Sequence, residues 1–378
     1  MSTESVGSQT YDVAIAGAGL AGSAAAILFR RQGLRVVLVD PYPVFPRMFR
    51  AEKIEPDQSA LLRKFDLLDV VNQRTRMIRE IVRAQNGRVR YRRKVEQLGV
   101  PYQDIVNQVR AQWPDDIELR VGRVRRIAPG PELTELTMND GSTLRARLAV
   151  LSTGMAGDLY EQLGIQRRMV HAELSMVFGF MLARKDGQSF GFDAVTYRPS
   201  TIEQRVGYIT LFRFGDLIRA NLFTYWPARD ERSLSMVRAP ALTLRDVLPG
   251  MEAVIGDYAV DGKVEPFRID LYRMESCALP GVVLVGDAYQ SVCPSTGMGL
   301  SKVLTDVDVL CNDLAPQWFS SPGMGVEKTS ALYRNPRKQE VDDRALKAAI
   351  MGRRQIIDRS PVWQLRRAIR DWRWATGR

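Results

Sequence analysis

The chain has 378 residues, 45% of them hydrophobic, and a formal net charge of +11. That length exceeds one ordinary domain and can bury a large core, while no stretch approaches the run of about 18 apolar residues that a membrane-spanning helix needs. Cys277, Cys293 and Cys311 show neither metal spacing nor a disulfide framework, and with His171 as the sole histidine a His-based metal site or a Ser-His-Asp hydrolase is close to excluded. Residues 1–10 are polar without an apolar stretch, so they read as a flexible N-terminus and not as a secretory signal. Free cysteines and no signal fit a cytoplasmic protein.

Residues 11–16 are a short apolar run rich in β-formers, the pattern of a buried strand. Gly17-Ala18-Gly19-Leu20-Ala21-Gly22 follows as G-x-G-x-x-G. The first glycine allows a tight turn, the second lets backbone approach a pyrophosphate, and the third lets helix pack close on strand. Residues 23–31 read as a helix whose N-terminal amides face the phosphates, and Gly33 ends it. Residues 35–40 form a second strand, and Asp40 stands 18 positions past Gly22. An acid there accepts hydrogen bonds from the ribose hydroxyls of an adenosine and disfavours a 2′-phosphate. The first forty residues therefore point to a dinucleotide, FAD or NAD, held by Gly17, Gly19, Leu20, Ala21, Gly22 and Asp40.

Further along, residues 176–182, 205–212 and 217–224 read as successive strands, with turns at Lys185-Asp186-Gly187 and Phe214-Gly215-Asp216. Phe178, Phe180, Tyr208, Phe212, Phe223, Tyr225 and Trp226 are candidates to line an apolar cavity there. Residues 281–285 form another buried strand that ends at Gly286-Asp287-Ala288, followed by Pro294, Gly297, Met298 and Gly299 and then a helix over 301–314. The tail over 361–373 sets tryptophans and a leucine among arginines at helical spacing. It reads first as a helix docked on the nucleotide domain, with a surface-bound or membrane-facing helix as the other option.

With both glycine segments in hand, the chain resembles the FAD-dependent monooxygenases of the para-hydroxybenzoate hydroxylase type over roughly residues 11 to 315. The resemblance implies an α/β fold: a Rossmann-like FAD-binding domain of the glutathione-reductase type, an interleaved, mostly antiparallel β-sheet substrate domain, and C-terminal helices. It places the FAD-binding domain at 11–171 and 273–330, the substrate domain at 172–272 and a helical region at 331–378. In that family the Asp of the Gly-Asp pair holds the ribityl chain, a role that falls to Asp287 beside Gly286. Pro294, Gly297, Met298 and Gly299 then line the flavin, whose charge on reduction is met by a helix N-terminus. Arg50 matches an arginine that reaches the pyrophosphate. Near residue 100, where the family carries an FAD-contacting arginine, this chain offers Tyr102 or Gln103, and Gln103 is the candidate.

Two motifs depart from the family. Tyr289-Gln290 stands where Ala-His is common, and Thr153 replaces the acid of a middle motif that contributes to nicotinamide handling. Chemistry in such enzymes is largely the cofactor's. NADH or NADPH reduces the flavin, O2 adds to give a C4a-hydroperoxide, and oxygen passes to an electron-rich carbon of a small aromatic or polycyclic substrate. Tyr289 or His171 is the candidate to deprotonate or orient that substrate, and no metal is needed. A flavin halogenase or a double-bond reductase on the same fold is the alternative. The halogenase Trp-x-Trp-x-Ile-Pro signature is absent, and Phe223-Thr224-Tyr225-Trp226-Pro227 only distantly echoes a reductase motif. Basic residues crowd 74–94 and 347–378. They are read first as solvated faces, then as recruiters of NAD(P)H, an anionic substrate, an acidic carrier protein or a reductase partner, and not as a nucleic-acid surface.

Overall fold

The structure is a computed structural model that describes residues 10–50, 52–155, 158–199, 201–214 and 217–376. Of the sequence expectations, the flexible N-terminus (save Thr10) and the Gly215-Asp216 turn lie outside the described residues.

Among the described residues the strands are, in chain order, β1 (Thr10–Ala16), β2 (Val36–Asp40), β3 (Lys53–Ile54), β4 (Arg76–Gln85), β5 (Arg88–Gly99), β6 (Glu118–Val121), β7 (Val124–Ala128), β8 (Thr134–Met138), β9 (Thr143–Leu151), β10 (Gln166–Arg184), β11 (Ala194–Arg198), β12 (Val206–Phe214), β13 (Leu217–Thr224), β14 (Tyr258–Glu275) and β15 (Val282–Leu284). They form two sheets. The first runs β6-β2-β1-β9-β8-β7, and β15 pairs with the part of β9 that β8 leaves uncovered. Pairing of β6, β2, β1, β9 and β15 is parallel. Both faces of this sheet are covered, which is why β1, β2 and β15 are nearly continuous in apolar residues. Val13, Ile15, Leu38, Val150 and Val283 pack toward helices Leu20–Arg31 and Gly299–Asp308, while Ala14, Val37, Val39, Leu151 and Leu284 pack on the other side.

The second sheet runs β14-β10-β13-β12-β11-β4-β5-β3 and is antiparallel except where β11 meets β4. Strands β4 and β5 lie in the stretch assigned from sequence to the FAD-binding domain, yet they complete this second sheet. Nothing local could show this: Ala194 pairs with Ile81 across more than a hundred residues, and arginines on both strands mask the alternation. The outer face of the sheet carries Phe178, Phe180, Leu182, Ile209, Leu211 and Trp226 in one core.

Three local expectations shift. The first helix starts at Leu20 rather than Ser23, because extended Gly19 caps it. The helix after Gly299 runs α-helical to Asp308 and continues as a π-helical turn over Val309–Leu314. The last helix, Pro361–Thr376, packs on β5, a strand of the second sheet, and on helix Pro336–Ile357. Among the described residues no helix is long and apolar enough to cross a membrane.

Helix Leu20–Arg31 lies against β1 only because Gly22 has no side chain. A Cβ there would sit 2.0 Å from the Gly17 carbonyl oxygen and 2.7 Å from Ser152 Oγ. Gly22→Ala is therefore expected to destabilise the protein by about 1–3 kcal/mol, the usual cost of overpacking. A urea-unfolding midpoint equal to wild type would contradict this account of the packing.

Candidate active site

The parallel strands deliver their C-terminal ends to one edge. Gly17 follows β1, Asp40 ends β2, Ser152 and Thr153 follow β9, and Gly286 follows β15 by two residues. Between this edge and the inner face of the second sheet lies a cavity of 990 Å3, at the upper end of the size of small-molecule sites. Gly17, Gly19, Leu20, Ala21, Asp40, Arg50, Gly286, Asp287, Pro294, Gly297 and Gly299 all line it. Two glycine segments far apart in sequence thus face one space.

Each glycine turn is held by buried charge. At the first, Asp40 Oδ2 accepts the Ala18 amide at 2.7 Å and Oδ1 accepts that of Tyr42 at 2.9 Å. Arg110, at the end of helix Tyr102–Arg110, donates through Nε and Nη2 to the Ala18 carbonyl at 2.9 and 2.7 Å and lies 3.5 Å from Asp40. Burial lowers the Arg110 pKa against the opposing pull of Asp40. At the second turn, Asp306 Oδ2 accepts the Gly286 amide at 2.8 Å, and Lys302 Nζ donates to the Gly286 carbonyl at 3.1 Å. Lys302 and Lys338 both bridge Asp306 and Asp342, at 2.7 to 3.3 Å, and all four side chains are almost wholly buried. Burial alone would raise Asp306, but the two lysine charges hold it below the usual carboxylate range.

Other contacts shape the cavity wall. Arg50 lies 3.5 Å from Asp287 and over the Phe267 ring, and Tyr272 donates to the Asp287 carbonyl at 3.0 Å. Gln58, in the first turn of helix Pro56–Lys64, donates to the Gly297 carbonyl at 3.0 Å. Tyr208 of β12 donates to the Ser295 carbonyl at 2.6 Å, which ties the second sheet to the loop before helix Gly299–Asp308.

The cavity has the form FAD requires. A Cβ added at Gly297 or Gly299 would meet nothing within 4 Å, and one at Gly19 only the Tyr102 hydroxyl at 3.9 Å and Phe45 at 4.0 Å, so these glycines open onto free space. Gly297, at φ +70°, and Gly286, at φ +64°, also hold left-handed backbone that disfavours a side chain. Residues 10–319 match the model of the FAD binding domain family. The chain belongs to that family, the flavoenzymes of the para-hydroxybenzoate hydroxylase type. Its members are FAD-dependent oxidoreductases, and the fold agrees. It is similar to p-nitrophenol 4-monooxygenase PnpA from Pseudomonas putida DLL-E4, with a TM-score of 0.76 at 18% identity over 97% of this chain and 94% of that one. PqsL, a probable FAD-dependent monooxygenase from Pseudomonas aeruginosa, gives 0.69 at 20% identity over 93% and 100%. The flavin-dependent brominase Bmp2 gives 0.69 at 14% over 98% and 94%. No curated protein matches the sequence.

Within this family frame several expected site residues fall elsewhere. Tyr289 does not line the cavity. Its buried ring stacks on Tyr333 at 5.0 Å and lies 4.1 Å from Lys338 Nζ, and burial pushes its hydroxyl up to about 12. His171 sits partly exposed on β10, with Nδ1 2.7 Å from the Ala172 carbonyl oxygen, away from the cavity. Tyr102, not Gln103, reaches the wall, and Met298 caps the following helix while its neighbours Gly297 and Gly299 form the lining. Gly22 packs against Gly17 behind the cavity. Of the candidate aromatics, Tyr208, Phe212 and Phe223 line it, while Phe178, Phe180 and Trp226 belong to the outer core. Strand alternation separates them: Val177, at an inward position of β10, faces the cavity, and Phe178 does not. Thr153, in place of the family's acid, lines the cavity with its hydroxyl 3.1 Å from that of Tyr160.

The lysine pair sets the expected acid behaviour. Asp306 is depressed below its unfolded value, so its stabilisation is complete above the ordinary aspartate range and is lost as pH falls through the folded value. Lys302→Met, which leaves two buried carboxylates to one lysine, should cost about 3–5 kcal/mol and start acid unfolding at a higher pH than wild type. Denaturant and acid titrations that overlay those of wild type would contradict the clamp.

Proposed function

We propose that the protein is an FAD-dependent monooxygenase that uses NADH or NADPH and O2 to hydroxylate or epoxidise a small aromatic or polycyclic molecule. The observation that carries this reading is that one shared cavity is walled on one side by both glycine segments and on the other by Tyr208, Phe212 and Phe223 of an inner sheet face. Asp40 takes the adenosine ribose, Gly17 to Ala21 the pyrophosphate with Arg50 nearby, Asp287 the ribityl chain, and Pro294, Gly297 and Gly299 the flavin ring. When bound, FAD supplies the two-electron and oxygen chemistry.

The chain's own work is placement and exclusion of water. Phe49, Phe223 and Phe267 cluster with Cys293, just before Pro294, and Phe212 lines the same cavity, an apolar wall that favours a flat substrate and keeps solvent from a reactive site. Tyr208 is committed as a donor to Ser295, and burial raises its pKa, so it stays protonated and fixes the wall rather than serving as a base. Thr196, Thr210 and Asn221 supply polar contacts on the same face. Neither His171 nor Tyr289 reaches the cavity, so no role in proton transfer is assigned to them.

The test is anaerobic reduction of the purified yellow protein by NADH or NADPH, followed by oxygen-isotope labelling with a screen of phenols and polycyclic aromatics. Substrate-dependent oxygen uptake with one labelled atom in the product is expected. A product halogenated in the presence of bromide, or a saturated double bond without oxygen uptake, would overturn the reading in favour of halogenation or reduction.

A further inference from the structure

The last helix, Pro361–Thr376, is held by one face and is apolar on the opposite one. Inward stand Trp363 and Arg367, each 8% exposed. Arg367 Nη1 donates to the Asp358 carbonyl at 2.6 Å and to the Gln355 carbonyl at 3.3 Å, where helix Pro336–Ile357 ends. A cation on the last carbonyls of a helix is a favoured contact, and here it fixes how the last helix is turned about its axis. Outward stand Val362, Leu365, Ile369 and Trp372, which are 60, 64, 45 and 55% exposed. Steps of three, four and three residues set them in one stripe along the helix. A helix on a globular protein ordinarily turns such a stripe toward the core. Single exposed apolar residues are commonplace, but a continuous strip of them marks a contact surface.

Positive charge borders the strip. Ile369 has Arg366 three positions before it and Arg373 four after it, and residues at those spacings are neighbours on a helix surface. Between Pro361 and Arg373 the chain sets Arg366, Arg367, Arg370 and Arg373 against Asp371 alone, four positive charges and one negative, a sum of +3. Asp371 is paired with Arg370 at 2.7 Å. Strand β5, on which the helix packs, carries five more cations between Arg88 and Lys94, of which Arg92 is engaged by Glu80. The chain as a whole is at +11. An apolar strip edged with arginine on a strongly basic protein is complementary to a surface that is apolar within and anionic at its face.

We propose that the outward face of the last helix seats on an anionic lipid surface, with Leu365, Ile369 and Trp372 at the headgroup boundary and Arg366 and Arg373 against lipid phosphates. The shape of the strip favours a bilayer over a protein groove. It is convex and borne by one helix, and a fluid surface closes around it without having to match its form. Tryptophan suits that boundary, since its ring is apolar and its N–H is polar. Among the described residues no helix is long and apolar enough to cross a membrane, so the attachment proposed is peripheral. It is independent of the monooxygenase reading above.

The probes are vesicles of phosphatidylcholine alone and of phosphatidylcholine mixed equally with phosphatidylglycerol, floated with the full-length, FAD-loaded protein. At low salt the protein is expected to bind the mixed vesicles at least about tenfold more than the neutral ones, and high salt should release most of it. Leu365→Ser with Ile369→Ser should weaken binding at least about tenfold, and Arg366→Gln with Arg373→Gln by roughly as much. All four side chains are exposed, so both pairs should keep the wild-type flavin absorbance and unfolding midpoint. No binding to the mixed vesicles, equal binding to both kinds, or binding that the serine pair leaves intact would overturn the proposal. So would a dimer in light scattering that the serine pair dissolves while vesicles stay unbound, a result that gives the face to a second copy of the chain.

Discussion

At both glycine turns the same device recurs. A buried carboxylate accepts the amide of one residue, and a buried cation donates to that residue's own carbonyl: Asp40 and Arg110 at Ala18, Asp306 and Lys302 at Gly286. A tight turn that must present free backbone to a ligand cannot satisfy all its polar groups within itself, and an orphaned buried group costs about 1–3 kcal/mol. Asp40 at the end of β2 and three side chains from helices, Arg110, Lys302 and Asp306, meet that need. The turns become rigid before any ligand arrives, which lowers the ordering cost of binding.

Topology makes the device useful. Because β9 pairs with β1 along one edge and with β15 along the other, Gly17 and Gly286 emerge on either side of Ser152 although they are separated by most of the chain. Ligands in open parallel sheets bind beyond the carboxyl ends of the strands, and here that edge is roofed by a second sheet. The Tyr208 bond to Ser295 joins the two layers at the point where an aromatic wall meets the glycine loop. The dinucleotide half of the cavity is built from backbone and small residues, and the opposite half from rings, hydroxyls and cations. The two halves thus have different chemistries.

Much of this was legible in the sequence where the physics is local. Strand, glycine turn, helix and terminal Asp40 follow each other within forty residues, so spacing alone defines them, and Gly286-Asp287 with Gly297 and Gly299 is nearly as compact. What could not be read is what depends on distant pairing. The arginine-rich hairpin of β4 and β5 reads as solvated because its partner, β11, lies far along the chain. Arg110, Lys302 and Lys338 look like ordinary helix-surface charges until packing buries them. The i, i+4 spacings of Lys302 with Asp306 and of Lys338 with Asp342 were the available signal. Its place next to Gly-Asp-Ala points Tyr289 to the site, but the short helical turn over Gly286–Ala288 precedes a ring that stacks on Tyr333, away from the cavity.

The claim on which the whole account stands is that one ligand spans both glycine segments. Titration of flavin-free protein with FAD and with FMN, followed by flavin fluorescence, tests this most directly. If the adenosine half is held at Asp40 and Gly17 to Ala21 while the flavin half is held at Asp287 to Gly299, FAD binds one to one and at least about a hundredfold tighter than FMN, roughly 2.7 kcal/mol. Equal affinity for the two flavins, or no binding of either, would contradict it.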